Sequence, residues 1–168
     1  MAAIGFQGVA AALAKLDKHK LLIRGSITDT KRRVVRHVLK DLVTNSPQWS
    51  GNLAQQWYVE FHGQKGHYQQ IASYGEARTR DEAYSMGDDP AVSQTLAREY
   101  AKIDKIRWNS KIEIVNYAPY ASDVEAGVGP DGLAIRPENQ LASYGGVAMV
   151  GYVTMKYNNL RYLKGLAI

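Results

Sequence analysis

An α+β fold is what this sequence predicts: a small, mostly antiparallel sheet with two or three helices packed on one of its faces. Three observations carry that expectation. Residues 30–44, "TKRRVVRHVLKDLVT", place Val34, Val35, Val38, Leu39 and Leu42 at steps of three and four, the spacing of an amphipathic helix. "KIEIVNY", residues 111–117, alternates apolar and polar residues at period two, as a strand with one buried face does. No fixed-period self-similarity is visible, which removes solenoids and propellers.

The elements follow in chain order. Val9, Ala12, Leu13 and Leu16 predict a first helix. A break is expected at "RGSITD", where Gly25 and Ser26 disfavour helix, and Asp29 or Thr30 then caps a second helix over 30–44. Asn45 and Pro47 in "NSPQWSG" end it, because proline cannot continue a helix. Residues 53–61, "LAQQWYVEF", are rich in bulky and β-branched types and predict a strand. Residues 62–90 lose periodicity among Gly63, Gly66, Gly75, Gly87 and Pro90, and predict a long loop insertion. Asp89 followed by Pro90 starts a further helix, with Val92, Leu96, Tyr100 and Ile103 at helical steps up to about Lys105. The strand 112–117 comes next, then a loop over 128–146 and a last strand at 147–155. At 168 residues, one domain spanning 1–168 is expected.

Composition excludes several chemistries. The chain has no cysteine, so disulfide scaffolds, thiolate metal sites and thiol nucleophiles are ruled out. Its apolar N-terminal stretch has no basic residue ahead of it and is too short for a span, so neither an export signal nor a membrane helix is expected. The net charge of +5 is unevenly spread: residues 1–44 carry +6 and residues 151–168 carry +3, which leaves −4 for the middle. Basic ends suit nucleic acid or acidic protein surfaces alike.

Catalytic motifs are not found. His19, His37, His62 and His67 lack metal-ligand spacing, no serine sits in a nucleophile elbow, and the glycines form neither a phosphate loop nor a dinucleotide fingerprint. Neither cofactor nor metal is expected. Among the carboxylates, Asp123 and Glu125 follow an apolar strand and so are candidates for burial; a structural ion pair is the plainer reading of them than acid–base chemistry. The basic run Lys31 to Lys40 contains no aromatic, which argues against base stacking, although a basic nucleic-acid-binding module stands as the alternative reading.

Two short motifs in order carry a family resemblance. "PQWSGNL" supplies Pro47, Ser50, Gly51 and Leu53 ahead of Trp57, and "NYAPYASDVEAG" supplies Asn116, Pro119, Tyr120, Ala121, Glu125 and Gly127. Over residues 28–127 this order resembles the tail-completion and head–tail joining proteins of tailed bacteriophages. The resemblance implies a non-enzymatic virion subunit, made in the host cytoplasm, that forms a ring at the neck. Its implied partners are further copies of itself, portal or connector proteins, tail terminator or tail tube proteins, and DNA passing through without sequence-specific binding; no membrane is implied.

The residues agree with assembly in a physical sense. "NYAPY" places two amphipathic rings, Tyr117 and Tyr120, at a proline-fixed bend, and tyrosines bury area at interfaces while keeping a hydroxyl wet. Glu125 suits a cross-subunit arginine, and Gly127 permits a sharp exit. A closed ring needs two unlike faces, which charge segregation supplies: Arg32, Arg33 and Arg36 are expected to meet the acidic middle of a neighbour.

Overall fold

One helix, α1, runs from Phe6 to Thr44 without interruption over 39 residues, a rod of about 58 Å at helical rise. The expected break at 24–29 is absent, and Asp29 and Thr30 lie inside the helix rather than capping it. Gly25 costs about 1 kcal/mol in a helix interior but removes no backbone donor, and no proline stands nearby to do so. The Thr28 hydroxyl donates to Arg24 O at 2.8 Å, folding its polar group back onto the helix itself. At the other end the helix stops where the sequence says. Asn45 donates from its backbone N–H and its Nδ2 to Asp41 O, and Ser46 Oγ donates to Leu42 O at 2.8 Å.

The computed structural model describes residues 6–46, 51–69 and 90–126; most of the expected 62–90 insertion, the 128–146 loop and the 147–155 strand lie outside these. After α1 come a single helical turn α2 (Asn52–Gln55), strand β1 (Trp57–Phe61), helix α3 (Pro90–Ile103), strand β2 (Ile112–Asn116) and a short helix α4 (Ala121–Glu125). The strand expected from residue 53 begins at Trp57 instead. Gly51 takes φ 73°, a left-handed conformation suited to glycine, and its carbonyl accepts from Gln55 N at 3.2 Å, which closes a helical turn before the chain extends.

β1 and β2 pair antiparallel, with Trp57 opposite Asn116, Val59 opposite Ile114 and Phe61 opposite Ile112. The described residues thus form an α+β fold in which a two-stranded sheet is packed with helices. Two strands alone are marginal, so packing has to stabilise them. α1 contributes Val35, Leu39, Leu42 and Val43, α3 contributes Val92 and Ile103, and these close over Trp57, Val59 and Phe61 of β1. Leu39, Val43, Ile103 and Ile106 are fully buried, each contributing about 1.5–3 kcal/mol. Trp57 completes its burial by donating Nε1–H to Ser46 Oγ at 2.8 Å, tying strand to helix end.

The outer edge of β1 is sealed by side chains rather than by a third strand. Val59 N–H points away from β2 and donates to Glu99 Oε2 at 2.9 Å, while Arg98 donates to Trp57 O at 2.7 Å and Gln55 O at 3.0 Å. Glu99 is fully buried, and its other oxygen accepts from Arg98 Nε at 2.6 Å and Lys102 Nζ at 2.8 Å. Arg98 also stacks over Tyr58, 4.3 Å from the ring centre. Changing Glu99→Ala would leave a buried N–H unmade and two cations uncompensated, and is expected to cost about 3–5 kcal/mol in urea unfolding. Glu99→Gln keeps an acceptor for Val59 and is expected to cost about half as much; equal losses would contradict this account of the edge.

Candidate assembly site

The two motifs that stand far apart in sequence meet at one corner of the fold. Asn52 Nδ2 donates to Tyr120 Oη at 2.8 Å, and Asn116 Nδ2 donates to Leu53 O at 3.0 Å. Asn116 Oδ1 turns back to accept Ala118 N–H at 2.9 Å, so this asparagine holds its own bend and the opposite turn together. Backbone pairing continues past β2, with Tyr117 N–H donating to Gln56 O at 3.0 Å. Pro119 then fixes the chain direction into α4, whose Val124 is buried under the corner.

Each expected site residue has a definite place. Tyr117 is half-buried; it donates its hydroxyl to Glu60 Oε1 at 2.5 Å and packs edge-to-face on Tyr58 with ring centres 5.7 Å apart. Glu60 holds the Tyr117 phenol above its usual 10.0, because the carboxylate accepts the proton in a hydrogen bond, with burial and the negative charges of Glu60 and Glu113 acting in the same sense. Tyr120 is half-buried and its phenol is also raised, chiefly by burial, against a smaller opposing effect of the Asn52 hydrogen bond. Glu125 is half-buried at the end of α4, whereas Asp123, in the first turn, is exposed.

The arginines lie on a different part of the molecule, where α1 faces the turn after α3. Arg32 Nε donates to Ile106 O at 3.1 Å, and Arg36 pairs with Asp104 at 2.5 Å while lying 5.5 Å above the Tyr100 ring. Lys31 Nζ donates to Trp108 O and Ser110 O at 2.8 and 2.9 Å. These three cations brace the 104–110 segment. Arg33 is exposed beside them.

Sequence reasoning overlooked the residues that make the corner rigid. Gln56 is fully buried, and its amide donates to Gln69 O at 2.6 Å and accepts from Gln69 N at 3.2 Å, clamping the 62–69 segment to the strand. Glu60 binds the same segment, accepting Gly66 N–H at 2.8 Å on the oxygen that also takes Tyr117. The signal was present: Gln56 and Glu60, set among apolar residues of an expected strand, are polar groups that burial obliges to find partners. Among the described residues no three His, Asp or Glu side chains are grouped to hold a metal ion, and no helix is long and apolar enough to cross a membrane.

Two outcomes follow from this geometry. A methyl added at Gly66 would stand 2.5 Å from Tyr58 Cγ and 2.9 Å from Tyr117 Cε2, both on packed rings, so Gly66→Ala is expected to lose about 1–3 kcal/mol on thermal unfolding. Since the Tyr117 phenol is raised on folding, its contribution is complete below the unfolded value and is lost as pH rises through the folded one. Stability is therefore expected to fall above about pH 10, and Tyr117→Phe to flatten part of that fall in unfolding curves taken across the alkaline range.

No protein family, curated protein or solved structure matches the chain, so the corner is read from its own geometry.

Proposed function

We propose that this protein is a structural subunit of a tailed-bacteriophage neck, a tail-completion or head–tail joining protein that forms a ring around the DNA path and has no catalytic role. The observation that supports the reading is the meeting of the two motifs. Gly51 occupies the left-handed turn that a glycine motif position calls for, and the next residue, Asn52, bonds to Tyr120 of the second motif. The antiparallel pairing of Trp57 with Asn116 sets Gly51 and Leu53 of the first motif beside the bend of the second, while Pro47, Ser50 and Gly127 lie outside the described residues.

The corner also has the properties of a docking surface. Its aromatic rings are held by internal bonds to Glu60 and Asn52, so little side-chain freedom remains to be lost on binding. Their outward surfaces, together with Glu125, are what a neighbouring copy or a connector protein would cover. On the basic side Arg33 is the exposed one of the three arginines, whereas Arg32 and Arg36 are half-buried and bonded to the 104–110 segment.

Purified protein carrying Arg33→Glu or Glu125→Lys is expected to remain folded, with the cooperative thermal transition of the parent, yet to fail in ring formation with connector or tail proteins. Imaging the protein in an assembled particle provides the direct check. Finding Tyr117, Tyr120 and Glu125 covered by a neighbouring chain supports the reading, and finding all three in contact with solvent alone overturns it.

A further inference from the structure

Apart from the contact of Arg24 with Trp108, the first half of α1 stands clear of the other described residues. From residue 8 to residue 30 every side chain is exposed except Arg24 and Thr28, which are half-buried. An isolated helix of this length is barely stable in water without an apolar face to bury. Such a face exists here: Val9, Leu13, Leu16, Ile23 and Ile27 follow one another at alternating steps of four and three once Lys20 is included, and they are 55, 56, 63, 59 and 39% exposed. That alternation is the 3.5-residue period of a helix packed along another helix, with Leu13, Lys20 and Ile27 in one set of seam positions and Val9, Leu16 and Ile23 in the other.

We propose that this seam is covered by the same seam of a second copy, the two arms lying antiparallel about a two-fold axis near residues 21 and 22. Three observations select this occupant. Among the described residues, the other large exposed apolar side chains outside α1 are Tyr68 and Trp108, so the described part of the fold offers no comparable apolar surface to receive the arm. Charge then fixes the direction. A parallel pair would bury Lys20 against Lys20, whereas the antiparallel pair sets Lys20 beside Ile23 and Leu16 beside Ile27. In that arrangement Asp17, which flanks the seam, faces Arg24 of the other copy, and symmetry makes the contact twice.

The Arg24 guanidinium carbon lies 4.6 Å from the centre of the Trp108 ring, a contact that holds the side chain beside the arm. Leu21 and Leu22 lie on the side of the helix away from the seam, 66 and 61% exposed, and stay outside this pairing. Two arms of about three heptads bury on the order of 1,200 Å² between them, the lower end for a specific interface. The pairing is independent of the neck reading: a two-fold contact closes on itself, while a ring needs two unlike faces, so it describes the free chain.

The absence of cysteine makes the test clean. At about 100 μM, where an interface of this size should be populated, the full chain is expected to sediment as a dimer, and Leu16→Asp with Ile23→Asp to make it a monomer of unchanged thermal stability. Asp17→Arg is expected to weaken dimerisation by about tenfold and the added Arg24→Asp to restore it. Under oxidation, a Leu16→Cys chain mixed with an Ile27→Cys chain should cross-link to each other, and Leu16→Cys alone should not. A monomeric or higher-order parent chain overturns the proposal, as does efficient cross-linking of Leu16→Cys to itself.

Discussion

A buried carboxylate decides whether this sheet exists as a separate, rigid unit. β1 has one hydrogen-bonded neighbour among the described residues, and the other edge of a two-stranded sheet would ordinarily be left to water or to another chain. Glu99 removes that option by accepting the outward N–H of Val59, and Arg98 accepts none but donates to the outward carbonyls of Gln55 and Trp57. The charges sustain each other: Glu99 is enclosed by Arg98 and Lys102, and both cations lie over the Tyr58 ring. Helix α3 therefore acts on β1 partly as a neighbouring strand does, with side chains in place of backbone.

From that edge the rest of the fold can be followed outward. With β1 held by α3, its inner pairing to β2 sets where Asn116 and Tyr117 fall, and Gln56, Glu60 and Asn52 distribute their polar groups among the turns around the corner. The corner is thus pre-formed. The arm is the opposite case, a helix whose apolar positions pack on none of the other described residues. One end of the molecule spends its polar side chains on rigidity, and the other keeps its apolar side chains exposed, a division that suits a protein built to contact other chains at more than one place.

Periodicity made much of this legible. Helix α3 begins at Pro90 as proline at a first helical position suggests, strand β2 occupies the alternating stretch, and α1 ends at Thr44, just before Asn45. What periodicity does not weigh is Gly25 against the uninterrupted helical bonding on either side of it, so two helices are expected where one forms. Nor does composition distinguish Leu53 and Ala54 in a helical turn from the same residues in a strand, because burial satisfies both. The largest omission was Glu99. It lies between Leu96 and Ile103 on the apolar face of its helix, and a charge in an apolar stripe marks a buried partner that only the third dimension can name. Likewise, the sequence placed Tyr117 and Tyr120 at a bend but gave no sign that Asn52 and Glu60 would hold them.

The central claim is that side chains of α3 close the edge of β1 and so fix the corner. Native-state hydrogen exchange of two amides tests it most directly: Val59, bonded to the Glu99 carboxylate, and Tyr117, bonded to Gln56 across the sheet. Both are expected to exchange together, through unfolding of the whole unit. Rapid exchange at Val59 while Tyr117 and the core remain protected would show an edge open to solvent, and would contradict the account.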